Sequence, residues 1–131
     1  MTYKQPKTSD IVAVDFDGTI VDGIFPSIGQ MKPNALFVLT SIQKLGYRLI
    51  LWTCREDHVS DPRQQYLTTA LEYCTDHGLE FDAVNTFIPR HEFPADAYKY
   101  VRKPFADWYI DDHTPLYDID WEKLGQFFGV M

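Results

Sequence analysis

Cysteine is scarce in this chain of 131 residues. It has two, Cys54 and Cys74. That is too few for a disulfide framework and in keeping with a reducing cytoplasm. Long apolar runs are missing too, and no stretch approaches the length needed to cross a bilayer. The opening residues, MTYKQPKTSD, hold no apolar h-region and predict no signal peptide. Positive charge is in deficit. The net charge of −7 speaks against a non-specific grip on nucleic acid or on an anionic membrane surface. Internal repeats and low-complexity tracts are absent. A cytoplasmic protein without membrane or nucleic-acid partners is the expectation.

What is present is apolar and aromatic. A 45% hydrophobic share is enough to bury a sizeable core. One domain over residues 1–131 is the expected organisation.

IVAVDF, from Ile11, is a continuous apolar and β-branched run, which suits a strand buried on both faces. Pro33 marks a helix start, with Ala35, Val38, Leu39, Ile42 and Leu45 as its apolar face and Gly46 as its end. YRLILWT, residues 47–53, is a second strand. Asp61 is placed to cap a second helix from Pro62, with Leu67, Ala70, Leu71 and Cys74 inward and Gly78 at its end. FDAVN, residues 81–85, is a short third strand. Residues 87–106 read mostly as loop. DWYIDD, residues 107–112, is a fourth strand. In the tail, Thr114 and Pro115 offer a helix start, and GQFFGVM offers a strand instead. Strands alternating with helices predict an α/β fold, a doubly wound parallel sheet of Rossmann-like form.

Ligands of such sheets bind beyond the carboxyl ends of the strands. Asp15 and Asp17, Thr53, and Asp111 with Asp112 all fall at strand ends, so polar groups from three strands converge on one rim. Several carboxylates at one place call for a cation. A sparse set of oxygen ligands suits Mg²⁺, which keeps waters and shares phosphate oxygens. Gly18 allows a sharp turn after the aspartates. Thr53 offers a hydroxyl and Lys103 a positive charge, both suited to a phosphoryl group. An aspartate beside Mg²⁺ can act as a nucleophile, and a second as acid and base. A calcium loop is excluded, because Thr19, Ile20 and Pro26 stand where it needs an acid or Asn, a Gly and a Glu. Cys54 and His58 are too few ligands for zinc. Arg55, His58, Arg90 and His91 lie on loops that reach the rim, as solvated residues or as substrate contacts.

The ordered set of motifs resembles the haloacid dehalogenase superfamily of phosphatases and phosphotransferases. An apolar strand runs into Asp15-Phe16-Asp17-Gly18-Thr19. A second strand, LILWT, ends in Thr53. Lys103 follows, and the strand WYIDD ends in Asp111 and Asp112. The resemblance spans residues 11–112. It implies that Asp15 is the nucleophile that becomes an aspartyl-phosphate. Asp17 would be the acid/base, and its backbone carbonyl a Mg²⁺ ligand. Thr53 would bind phosphoryl oxygens, and Lys103 would offset negative charge at the nucleophile. Asp111 would bind Mg²⁺ with Asp112 in support, or the two exchange roles. An aspartate at the position of Asp17 marks the family's phosphatases and mutases.

Two departures qualify the likeness. Family members often insert a cap domain, whereas residues 20–32 suffice only for a hairpin flap, so no separate cap domain is expected. Lys103 precedes a proline close to Asp111, which leaves Lys99 and Arg102 as alternatives for the basic role. The implied function is a Mg²⁺-dependent phosphatase acting on a phosphorylated substrate, macromolecules included, with a second subunit as another means of covering the open site. A phospho-ligand binder without catalysis, and phosphotransfer to an acceptor other than water, are the alternative functions.

Overall fold

A computed structural model describes residues 4–89 and 102–131. The strands are β1 (Ile11–Val14), β2 (Arg48–Leu51), β3 (Ala83–Val84) and β4 (Trp108–Ile110). The helices are α1 (Ala35–Leu45), α2 (Tyr66–Asp76) and α3 (Trp121–Phe127). The four strands form one parallel sheet in the order β3-β2-β1-β4. This is the α/β architecture that the alternation of patterns predicts.

Every residue of β1 is buried, as its unbroken apolar run requires of a central strand. Side chains alternate across the sheet. Val12, Val14, Leu49 and Leu51 face one way and pack with residues of all three helices, including Val38, Leu39, Ala70, Cys74 and Trp121. Ile11, Ala13 and Ile50 face the other way and meet Ile88, Phe105 and Ala106 from the β3–β4 connection. β2 and β3 thus follow β1 outward, β4 lies on β1's free side, and Ile88, Phe105 and Ala106 pack on the face opposite the helices. The carboxyl ends of β1 and β4 lie where the connections diverge, which is where such sheets open a crevice.

Gly46 ends α1 as expected, while the other helix boundaries differ from expectation. α1 begins at Ala35, after Asn34 in a left-handed turn at φ 68°, and stops at Gly46 at φ 111°. α2 does not start at Pro62. Asp61 accepts instead from Arg63 N at 2.9 Å within a turn. The first turn of α2 is served by Asp57, whose carboxylate accepts from Thr68 N at 2.9 Å and from the Thr68 hydroxyl. In the tail, neither Thr114–Pro115 nor a strand prevails. Asp120 caps α3 by accepting from Glu122 N and Lys123 N at 3.0 and 3.1 Å. Gly125 brings α3 close to α1, since a Cβ there would crowd Val38.

Residues 20–32 fold as a hairpin. Val21 pairs with Met31, and Asp22 N donates to Gln30 O at 2.9 Å. No separate cap domain is found among the described residues. No helix among them is long and apolar enough to cross a membrane.

Acidic residues at the two edges of the sheet serve different ends. At the amino edge each is tied to a donor. Asp107 accepts from Ile11 N, Asp82 from Leu49 N, and Asp10 from Trp108 Nε1, at 2.8, 2.7 and 2.9 Å. At the carboxyl edge the acids crowd one another.

Candidate active site at the carboxyl edge of the sheet

Asp15 is the first residue beyond β1, and its N–H donates to Ile110 O at 3.0 Å, continuing the β1–β4 pairing. A tight turn follows. Phe16 O accepts from the N–H groups of Thr19, Ile20 and Val21. Gly18 takes φ 78°, which suits glycine. The turn buries Thr19 completely and aims its hydroxyl back at the acids. Thr19 Oγ1 donates to Asp15 Oδ2 at 3.0 Å and accepts from Asp112 N at 3.0 Å. Asp112 Oδ1 lies 3.3 Å from the same hydroxyl. Behind the turn, Trp121 Nε1 donates to Thr19 O at 2.8 Å.

Burial first, and then crowding, set the electrostatics. Burial pushes the Asp15 carboxyl up to about 7, and the adjoining Asp112 carboxyl and the charge of Asp111 push the same way. The Thr19 hydroxyl and the Phe16 N–H oppose the rise without cancelling it. Asp111, Asp112 and His113 each bring a ligand atom within 4.8 Å of the others. Asp111 Oδ1 accepts from His113 N at 2.9 Å. Two carboxylates and one imidazole nitrogen thus stand close enough to share a cation, beside the Asp15 carboxyl.

A cleft of about 460 Å³ opens over these groups. Asp15, Asp17, Thr53 and Asp111 line it together. Of the acids read from the sequence, Asp111 is the one of its pair that faces the cleft, while Asp112 is held on Thr19. Thr53 N donates to Asn85 Oδ1 at 2.8 Å, and its hydroxyl oxygen accepts from Arg55 N at 3.1 Å. That leaves the Thr53 proton free to point at a ligand.

Other expected residues are placed elsewhere. Lys103 does not line this cleft. Its Nζ lies 4.4 Å from the centre of the Tyr109 ring, in an adjoining hollow of about 230 Å³ that shares Trp52, Asp111 and His113 with the cleft. Arg102 is exposed. Lys99, Arg90 and His91 lie outside the described residues. His58 is exposed and accepts at Nδ1 from Ser60 N.

Arg55 is neither a solvated residue nor a free one. It is 2% exposed. Nε donates to Asp17 Oδ2 and Nη2 to Asp17 Oδ1, both at 2.8 Å. Nη1 and Nη2 also reach Tyr66 O and Pro26 O, each at 3.2 Å. Phe25 and Trp52 are further cleft-lining residues that the sequence reading did not single out. The D-x-D-x-T spacing carried Thr19 into view, but nothing local revealed that its hydroxyl joins two acids.

The chain is thus an α/β protein with an acidic cleft at the carboxyl end of a parallel sheet. No family model and no curated protein matches it. A solved structure of a conserved protein from Bacteroides thetaiotaomicron superposes with a TM-score of 0.75 at 36% identity, covering 92% of this chain and 90% of that one. This chain belongs to the family of that conserved protein.

Proposed function

We propose that the protein is a Mg²⁺-dependent phosphohydrolase working through an aspartyl-phosphate on Asp15. The observation that carries this reading is that Asp15, Asp17, Thr53 and Asp111, from three strand ends, line one cleft. In the first step an Asp15 oxygen attacks the phosphorus of a phosphate monoester. The P–O bond to the leaving group breaks, and Asp17 gives that oxygen a proton. In the second step water attacks the phosphorus, Asp17 takes a proton from it, and the bond to Asp15 breaks to release phosphate. The Thr53 hydroxyl donates to a phosphoryl oxygen, where charge develops. Asp15, Asp111 and the Asp17 carbonyl, with Asp112 in support, would hold Mg²⁺, which supplies charge neutralisation and polarises the phosphoryl group when bound. Lys103, in the adjoining hollow that shares Trp52, Asp111 and His113 with the cleft, would offset negative charge from that side.

Apart from the 20–32 flap, no separate cap domain covers the cleft among the described residues, so a macromolecular phosphate or a second copy of the chain is the natural further cover. The two free thiols, Cys54 and Cys74, fit a reducing cytoplasm. One observation favours a phospho-ligand binder instead: both Asp17 oxygens are engaged by Arg55. That fork uses one lone pair of each oxygen and leaves the other for a substrate proton.

Hydrolysis of p-nitrophenyl phosphate decides between the two. The enzyme reading expects release of nitrophenol with Mg²⁺, none in chelator, and none from Asp15→Asn. Phosphate binding without turnover on any phosphate monoester would establish the binder.

A further inference from the structure

We propose that Arg55 is a positioning residue that fixes the Asp17 carboxylate and binds the 20–32 flap to it, so that flap and carboxylate hold or move as one unit. The inference rests on the phosphohydrolase reading for its kinetic consequence, but not for the linkage itself.

Arg55 sits at the crossing of four segments. Its fork grips Asp17 through Nε and Nη2. The second hydrogen-bonding direction of Nη2 goes to Pro26 O in the flap. Nη1 holds Tyr66 O, at the first residue of α2. The guanidinium carbon also lies over two rings, 5.2 Å from the Phe16 centroid and 5.0 Å from that of Phe25. Phe25 in turn packs edge-on against Tyr66, with centroids 5.1 Å apart.

Burial makes these bonds obligatory. The Arg55 side chain is 1% exposed and Asp17's is 33% exposed. The guanidinium stays charged under all ordinary conditions, so it cannot shed its need for partners. A surface ion pair would break and reform freely. Here a flap that lifts takes away Pro26 O and the Phe25 ring together, and the arginine must then re-pair or follow. Phe25 lines the same cleft as Asp17. Whatever enters beneath the flap therefore meets an apolar ring and a carboxylate set by one guanidinium.

The fork fixes the plane of the Asp17 carboxylate and leaves its outer lone pairs toward the cleft. A misplacement on the order of 1 Å at a reacting group can cost about 10²-fold. The role is one of geometry, exerted through Asp17, with no contact to substrate required.

The test has two readouts on wild type, Arg55→Gln, Arg55→Lys, Asp17→Asn and the double variant Arg55→Gln/Asp17→Asn. The first is hydrogen exchange at the flap amides of Asp22, Ser27, Gly29 and Gln30, each of which is hydrogen-bonded. Asparagine offers one acceptor oxygen where aspartate offers two, so Asp17→Asn should speed flap exchange as Arg55→Gln does. Flap exchange unchanged in Asp17→Asn would overturn the linkage, even if no phosphate monoester is ever hydrolysed. The second is turnover of an alkyl phosphate. Arg55→Gln should lower kcat about 10²-fold with KM little changed, and Arg55→Lys should recover part of that loss. The double variant should be no slower than Asp17→Asn alone, because residues acting as a unit are not additive. Losses that multiply would make Arg55 a merely structural residue. Should Arg55→Gln lose its cooperative melt, Arg55→Lys takes its place in both readouts.

Discussion

Asp112 occupies the space that a side chain on Gly18 would need. A Cβ built on Gly18 would run into the Asp112 carboxylate. Gly18 also holds φ 78°. The glycine of the first motif thus does more than turn the chain. It lets the last acid of β4's edge reach the Thr19 hydroxyl, and through it Asp15.

Gly18→Ala should therefore damage both stability and chemistry. A non-glycine residue held in the left-handed region costs about 1–3 kcal/mol. The methyl must also push Asp112 away from Thr19. We expect a lower melting temperature and a loss of phosphatase turnover of about 10²-fold or more, with a higher Mg²⁺ concentration needed for half-maximal activity. A variant as active as wild type, with an unchanged Mg²⁺ titration, would show that Asp112's position is unimportant.

Asp15 gives stability a pH dependence of its own in metal-free protein. Its carboxyl rises from the ordinary 3.8 to about 7 in the folded state. A group held up in the folded state keeps its proton more tightly there than in the unfolded chain. Its contribution to stability is then full below pH 4 and is lost as pH climbs toward and past 7. Urea unfolding in chelator should show wild type losing stability relative to Asp15→Asn between pH 4 and 7. Added Mg²⁺ at pH 7 should return part of that loss to wild type, because the cation favours the ionised carboxylate. Parallel pH profiles for the two proteins would contradict the burial of Asp15 and its crowding by Asp112 and Asp111.

Trp121 tests the frame behind the turn rather than the chemistry. Its Nε1 supplies the hydrogen bond to the buried Thr19 carbonyl at 2.8 Å. Trp121→Phe keeps an aromatic ring and removes the donor, so a buried acceptor is left without this partner. The expected loss is about 1–3 kcal/mol of folding stability. KM should hold while kcat falls modestly, since Thr19 still bonds Asp15. A urea midpoint within error of wild type would remove Trp121 from the account.

The strands were legible because parallel strands buried on both faces need continuous apolar runs, and each run here stops at a polar residue on the ligand side. IVAV stops at Asp15, LIL gives way to Trp52 and Thr53, and WYI stops at Asp111. Convergence of Asp15, Thr53 and Asp111 follows from topology once the sheet is parallel. The partner of Asp17 was not legible. Arg55 is 38 residues away in sequence, on a loop with no periodicity, and a loop arginine is ordinarily solvated. Asp61-Pro62 mimics a local helix start, whereas the first turn of α2 is served by Asp57, outside the helix. Only order along the chain points to Lys103. Its side chain has an apolar stem and a ring to cover, and it lies on Tyr109 instead. The tail held its own signal in Asp120 before Trp121, which Thr114-Pro115 obscured.

Asp17 and Asp15 are separated by their response to the leaving group. As acid, Asp17 protonates the departing oxygen; as base, it activates water against the aspartyl-phosphate. A group of this kind is worth about 10²–10⁴ in rate. A p-nitrophenolate barely needs the proton. Asp17→Asn should then slow the second step more than the first, and phosphate should accumulate on Asp15. Rapid quench would show a burst of nitrophenol with p-nitrophenyl phosphate, followed by a slow steady state. An alkyl phosphate does need the proton, so its first step should slow as well and its burst should vanish. Asp15→Asn should give neither burst nor steady state with either substrate. Wild-type turnover of both substrates by Asp17→Asn, with no trapped phosphoenzyme, would take the acid/base role away from Asp17. Equal slowing of both substrates with no burst on either would instead place the damage before phosphoryl transfer, at the Asp17 carbonyl and the cation it would help to hold.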